Sequence, residues 1–261
     1  MSTLTLATRD SSTMVRRQLR RLLRYPSMTV QLVITPIIIL MLFVYVLGGT
    51  LGAGLGGGSG DGRHAYVNYV VPGILLMTAA MAATGTAVMV ATDMTEGIIA
   101  RFRTMRISRA SVLTGHVVGS VIQQVLSMAV LIGVAMAIGF RPNATIVEWL
   151  AVAGLLTLFA LATTWLSVAL GLKSPTPEAA SNAPMPLILL PFLGSGFVPT
   201  DSMPTVLRWF AEYQPFTPIM ETVRGLLLGT SIGNSAVIAI AWCVGIGAVS
   251  YLWAKSIFSK A

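Results

Sequence analysis

Residues 65–92 read AYVNYVVPGILLMTAAMAATGTAVMVAT, and residues 93–109, which follow directly, read DMTEGIIARFRTMRISR. The first stretch is 28 residues without a charge; the second holds four arginines. About 20 apolar residues carry a helix across the hydrocarbon core of a bilayer. A run of this length closed by a basic cluster predicts a membrane span whose following end stays at the cytoplasmic surface.

The same pattern recurs along the chain. Charge-free stretches also occupy 25–60, 110–140, 149–172, 179–200 and 225–254. Trimmed of turn residues, they predict an all-α integral membrane protein of six transmembrane helices, near 28–48, 67–91, 112–138, 149–171, 184–199 and 234–254. The fifth is short and carries Pro184, Pro186, Pro191, Gly194 and Gly196, which predicts a kinked or partly unwound span. Composition agrees: of 261 residues 55% are hydrophobic and 10% charged, with a mean hydropathy of +0.80. Soluble domains carry about a quarter charged residues, so this chain lacks the polar groups to cover a water-exposed surface.

Lysine and arginine fix the orientation. With the N-terminus inside, thirteen of the seventeen basic residues fall on cytoplasmic segments and four (Arg63, Arg141, Arg208 and Arg224) on outer ones. None falls within a proposed span, and both termini are expected on the cytoplasmic side of the cell or inner membrane. The formal charge of +8 is therefore a topological signal, with no nucleic-acid partner implied. The single cysteine, Cys243, excludes an intramolecular disulfide or a cysteine metal cluster, and no metal site is expected.

Residues 1–26 form a separate cytoplasmic segment ahead of the membrane domain, 27–261, and lack the apolar core of a cleavable signal peptide. On a helix, Val15, Leu19, Leu22 and Leu23 share one arc, with Arg16, Arg17, Arg20, Arg21 and Arg24 opposite. This predicts an amphipathic helix lying in the interface beside anionic membrane lipids. Residues 48–60, eight of them glycine, read as a flexible linker.

Two segments carry the functional signal. After the second span, Glu96 and Gly97 precede Arg101, Phe102, Arg103 and Arg106. There Ile98, Phe102 and Met105 share a helix face, a surface suited to docking a partner protein. Between spans five and six, Pro204, Trp209, Pro215, Pro218, Glu221 and Arg224 punctuate two short helices, too short and polar to span. Proline at 204 and 218 would begin them, their aromatics suit a membrane–water interface, and Glu221 and Arg224 are spaced to pair.

At these segments, and in its six-span layout with an amphipathic N-terminal helix, the chain resembles the ABC-2 family of transporter permeases, particularly the daunorubicin-resistance type of exporter subunit. One departure is Gln214, where family members often have Asn. The resemblance implies a type V exporter-like fold with short re-entrant extracellular helices. It also implies a half-transporter: a second permease subunit, expected as a homodimer, and two copies of a soluble P-loop ATPase. Glu96, Gly97, Arg101, Phe102, Arg103 and Arg106 would then form the coupling helix seated in the ATPase. The substrate path would be lined from spans two and five. Met77, Thr78, Met81 and Thr84 give adaptable, mildly polar surfaces there, with Phe192 and Phe197 on span five.

The residues themselves agree with that division of labour. Nothing matches G-x-x-x-x-G-K-[ST], so no cofactor is expected in this chain; ATP and Mg would sit on the partner. Asp93 is read as a span end, leaving no carboxylate inside a span for ion coupling. His116 is expected as an interfacial hydrogen-bonding residue. No catalytic residues are expected either: paired carboxylates and His-Glu-x-x-His are absent. The expectation is a multi-pass permease exporting a hydrophobic small molecule, a drug or antibiotic. The alternatives are export of a lipid-linked saccharide or cell-wall glycolipid, and a non-transport membrane protein or intramembrane enzyme.

Overall fold

A computed structural model describes residues 26–53, 62–96 and 109–260. The N-terminal amphipathic segment and the stretch 97–108 lie outside the described residues. In chain order, α1 (Pro26–Met41) runs through a π-helical stretch, Leu42–Leu47, into α2 (Gly48–Ala53). Then come α3 (Gly62–Thr95), α4 (Arg109–Ala137), α5 (Ile146–Lys173), α6 (Pro177–Asn182) and α7 (Met185–Leu189). A 3-10 turn at Thr200–Ser202 leads to α8 (Thr205–Tyr213), α9 (Phe216–Leu228) and α10 (Ser235–Lys260). Among the described residues there is no strand.

Among the described residues, five helical segments are long and apolar enough to cross a membrane: Val30–Gly52, Gly62–Thr95, Gly115–Ala137, Ile146–Lys173 and Ser235–Phe258. The central one is α3. It buries 72% of its most apolar window inside the protein, against 17% for the α1–α2 segment and for α10. Val67, Val70, Val71, Ile74, Leu75 and Leu76 form its share of the core, and α1, α4, α5, α6, α7 and α9 all pack on it. At 1.5 Å per residue α3 is about 51 Å long, so its ends project beyond a hydrocarbon core of about 30 Å.

The peripheral helices turn apolar side chains outward. Val237, Ile238, Val244, Val249 and Leu252 of α10, and Val30, Ile34 and Ile38 of α1, are all exposed. Contiguous apolar faces of this extent are a liability in water, whereas acyl chains solvate them. The protein is a multi-pass membrane protein.

The fifth expected span is the one that is not a continuous helix. Residues 184–199 comprise α7 and a run of turns. Pro186 and Pro191 lack amide hydrogens, and two glycines follow, so the helical ladder stops after one turn. By contrast, α5 starts cleanly. Thr145 Oγ1 accepts from the Glu148 amide at 3.4 Å while Glu148 Oε2 accepts from the Thr145 amide at 2.6 Å, a reciprocal capping box. Such caps stabilise a helix start by about 1 kcal/mol.

Residues 48–53 correct the first part of the linker expectation; 54–60 lie outside the described residues. The stretch 48–53 is helical, because Gly52 packs directly on the backbone of Gly62 at the head of α3. Glycine there permits a close helix crossing rather than flexibility.

Candidate functional site

Two polar assemblies stand out in the apolar bundle, one at each end of α3. The first gathers around the start of α3, the turns after α7, and α8–α9. The turn segment meets α3 backbone to backbone: a Cβ on Gly73 would lie 2.7 Å from the Gly196 carbonyl oxygen. Arg224 of α9 secures the contact. Its Nη2 donates to the Ser195 carbonyl at 2.7 Å and the Tyr69 carbonyl at 3.1 Å. Its guanidinium carbon lies 3.9 Å from the centre of the Tyr69 ring. Burial draws the Arg224 pKa down, opposed by Tyr69 and Glu221.

Neighbouring polar groups brace the same turns. Gln214 Nε2 donates to the Leu190 carbonyl at 2.9 Å, and the Ser195 amide donates to Thr217 Oγ1 at 3.3 Å. The departure at Gln214 thus supplies an amide long enough to reach the broken segment. Glu221 does not take up the expected close pairing with Arg224; its Oε2 accepts from Ser235 Oγ at the head of α10, 2.8 Å away. Two backbone carbonyls in this packed corner outcompete a helix-surface ion pair worth a few tenths of a kcal/mol.

Pro204 stands just before α8, as the sequence predicts, but α9 begins at Phe216, with Pro215 capping it and Pro218 inside its first turn. On α8, Val206, Trp209, Phe210 and Tyr213 are exposed along one face, while Arg208 pairs with Asp201 and Glu212, each at 2.7 Å.

The expected path residues divide. Phe192 and Phe197 stack with ring centres 4.4 Å apart, and Phe43 from the π-helical stretch closes on Phe197 at 4.6 Å. Phe192 stays exposed while Phe197 is buried. Met77 and Thr78 are buried in this chain's own core, Thr78 Oγ1 donating to the Ile74 carbonyl at 2.8 Å. Met81 and Thr84 are half-buried, and Thr84 Oγ1 has no hydrogen-bond partner among the described residues.

The second assembly lies toward the other end of α3. Asp93 is inside the helix, 1% exposed, and its Oδ2 stands 3.1 Å from His116 Nε2 on α4. Asp93 is thus near the end of α3, two residues before Thr95, and it is buried there beside His116, a hydrogen-bonding residue as the sequence suggests. One turn deeper, Thr86 Oγ1 and Ser120 Oγ are 3.0 Å apart; deeper still, Gln124 Nε2 donates to Thr164 Oγ1 of α5 at 2.8 Å. A signal for this assembly exists in the sequence, since His116, Ser120, Gln124 and Ser127 recur at helical spacing in an apolar run. Beyond the pair, Glu96 is exposed, its amide donating to the Thr92 carbonyl at 2.9 Å. Gly97, Arg101, Phe102, Arg103 and Arg106 lie outside the described residues.

Comparison with known proteins bears on what these ends do. A family described as ABC-2 type transporter matches residues 10–228. The chain is similar to the daunorubicin resistance ABC transporter permease protein of Streptomyces coeruleorubidus, 25% identical over 209 residues that cover 79% of this chain and 71% of that protein. It is also similar to a protein of Mycobacterium tuberculosis named as a probable doxorubicin resistance ABC transporter permease. There the identity is 23% over 177 residues, covering 68% of this chain and 64% of that protein.

Proposed function

The chain belongs to the ABC-2 type transporter family, and from that premise we propose that it is the membrane-spanning subunit of an ATP-driven exporter. Its cargo is a hydrophobic or amphipathic compound, in keeping with the drug-resistance names of its relatives. The family match over residues 10–228 carries this reading. ATP and Mg are bound by two copies of a separate P-loop ATPase, and a second copy of this permease completes the path.

In this reading the broken segment 184–199 crosses as a sixth, non-helical span, which places α8 and α9 on the outer side as short re-entrant helices. Irregular backbone at membrane depth is tolerated where protein buries it, and the bracing by Arg224, Gln214 and Thr217 supports that arrangement. The excess of arginine near residues 1–24 and 101–109 supports a cytoplasmic side for both termini and the α3–α4 connection.

The residues from Glu96 to Arg106 seat in the ATPase. Charge at the rim of such a contact sets its affinity and register. Reversing Glu96 (to Lys) or Arg101 (to Glu) is expected to lower permease-stimulated ATPase activity about tenfold at fixed subunit concentration, the equivalent of about 1.4 kcal/mol. Reconstituted permease and ATPase in proteoliposomes measure it; unaltered stimulation in both variants rejects the docking role.

Cargo passes along α3 and the broken segment, where half-buried Met81 and Thr84 and the exposed ring of Phe192 offer an adaptable surface. Tryptophan at position 81 or 84 is expected to change export of at least one compound about tenfold in a panel of planar aromatic drugs and lipid-linked saccharides, since a misfit of even one methylene shifts selectivity about 10–200-fold. Export of every compound at the wild-type rate removes these residues from the path.

A further inference from the structure

The buried pair at the foot of α3 has no place in the docking or path assignments, yet it is an expensive feature. Asp93 is the one buried carboxylate among the described residues, and ionisable groups within membrane helices are costly enough to mark function. It does not stand alone. His116, Ser120, Gln124 and Ser127 of α4 succeed one another at intervals of four, four and three, so they share one helix face, and all four are buried. Three of them reach across: His116 to Asp93 and Ser120 to Thr86 on α3, then Gln124 to Thr164 on α5. The result is a polar seam that begins near the α3–α4 connection and runs inward until it engages a third helix.

Position decides what such a seam can do. Asp93 lies three residues before Glu96 and His116 seven after Arg109, so the pair closes the base of the connecting segment like a clasp. In apolar surroundings an interhelix polar contact fixes rotation and register, because other alignments leave its groups unpaired. Two helices clasped at that point move as one body when the segment between them is pushed. Unclasped, the same push would splay them and be lost locally.

We propose that the Asp93–His116 pair positions the α3–α4 connection for coupling, so that movement delivered to residues 97–108 reaches α3 and α4 together and passes to α5 through Gln124–Thr164. Asp93 and His116 are positioning residues: they touch neither cargo nor nucleotide. The proposal rests on the permease reading given above.

The test uses the full permease–ATPase complex in proteoliposomes and reads transport per ATP hydrolysed. Asp93→Leu and His116→Phe are each expected to lower that ratio about tenfold, within the 5–150-fold usual for coupling between sites, while ATPase rate and inserted yield hold. The double variant is expected to be no worse than either single one, because both remove the same contact. Single-variant losses that multiply in the double variant overturn the clasp. So does an unchanged ratio with transport, ATPase rate and yield falling together, the pattern of a merely structural pair. Should either single variant fail to insert, Gln124→Leu carries the test: it keeps packing volume, cuts the seam at α5, and is expected to lower the ratio about threefold. An unchanged ratio there also overturns the proposal. Wild-type complex is the reference: absence of any ATP-driven transport in it fails the permease reading, and the clasp with it. Wild-type transport with unaltered variant ratios fails the clasp alone.

Discussion

Leucine in place of Gly73 is expected to abolish accumulation of folded protein, and even alanine there is expected to cost about 2 kcal/mol. The contact it would violate is backbone on backbone. A Cβ at position 73 would stand 2.7 Å from the carbonyl oxygen of Gly196, 2.9 Å from its Cα and 3.0 Å from its carbonyl carbon. A flexible side chain could swing clear; a main chain cannot. Nor can Gly196 retreat, because its own Cβ position is already bounded by the Pro191 carbonyl oxygen at 2.8 Å and Met220 Sδ at 2.9 Å. Met220 is fully buried in the core.

A control sits twelve residues along the same helix. Around Gly85 nothing lies within 4 Å of the place a methyl carbon would take, and an alanine in an open helix interior gains up to about 1 kcal/mol over glycine. Thermal melts of the detergent-purified protein should therefore move in opposite directions: down for Gly73→Ala, level or up for Gly85→Ala. Equal melting temperatures would show that α3 and the broken segment do not meet at this point.

The two glycines illustrate how far the sequence can be read. Length and apolarity alone locate the long helices, because lipid imposes one requirement on every span and each meets it locally. The break near 184–199 is equally legible, since Pro186, Pro191, Gly194 and Gly196 each act on their own backbone. What holds the break in place is not. Arg224, Gln214 and Thr217 are 20 or more residues away from the turns they brace, and no local pattern announces such a partner.

Local rules, applied to residues with distant partners, give the wrong neighbour. Glycines 48, 49 and 52 suggest a loop by composition, but the backbone of Gly62 lies against Gly52 and makes the same residues part of a close-packed helix. Spacing suggests that Glu221 and Arg224 pair, yet each finds a stronger claim on another element. The start of the basic segment sets Asp93 near a helix end, where it lies. Its burial follows from His116, on a helix beyond the connection, where only the period of the α4 polar face hints at a meeting. Residues 97–106, for which a coupling role is proposed, carry the family resemblance and lie outside the described residues.

Removing the side chain of Arg224 is the other change with a large expected effect. Arg224→Met would leave the Ser195 carbonyl without its donor, at about 1–3 kcal/mol for a buried group left unpaired, would take a second donor from the Tyr69 carbonyl within α3, and would end the contact with the Tyr69 ring. Methionine also relieves the cost of burying a cation, which offsets part of that loss. The stranded Ser195 carbonyl and the lost ring contact outweigh the relief, giving a net destabilisation of about 2 kcal/mol, a large fraction of the 5–15 kcal/mol that holds a typical domain. Lysine keeps the charge but not the planar fork or the stacking, so Arg224→Lys should fall between wild type and Arg224→Met, at about 1 kcal/mol. Glu221→Gln separates this account from an ion-pair account. A glutamine oxygen can still accept from Ser235, so its cost should stay under about 1 kcal/mol. Denaturation of the three variants in mixed micelles gives the order directly. If Glu221→Gln proved as damaging as Arg224→Met, the pair of opposite charges three residues apart would be the stabilising element. The broken segment would then rest on something other than the guanidinium.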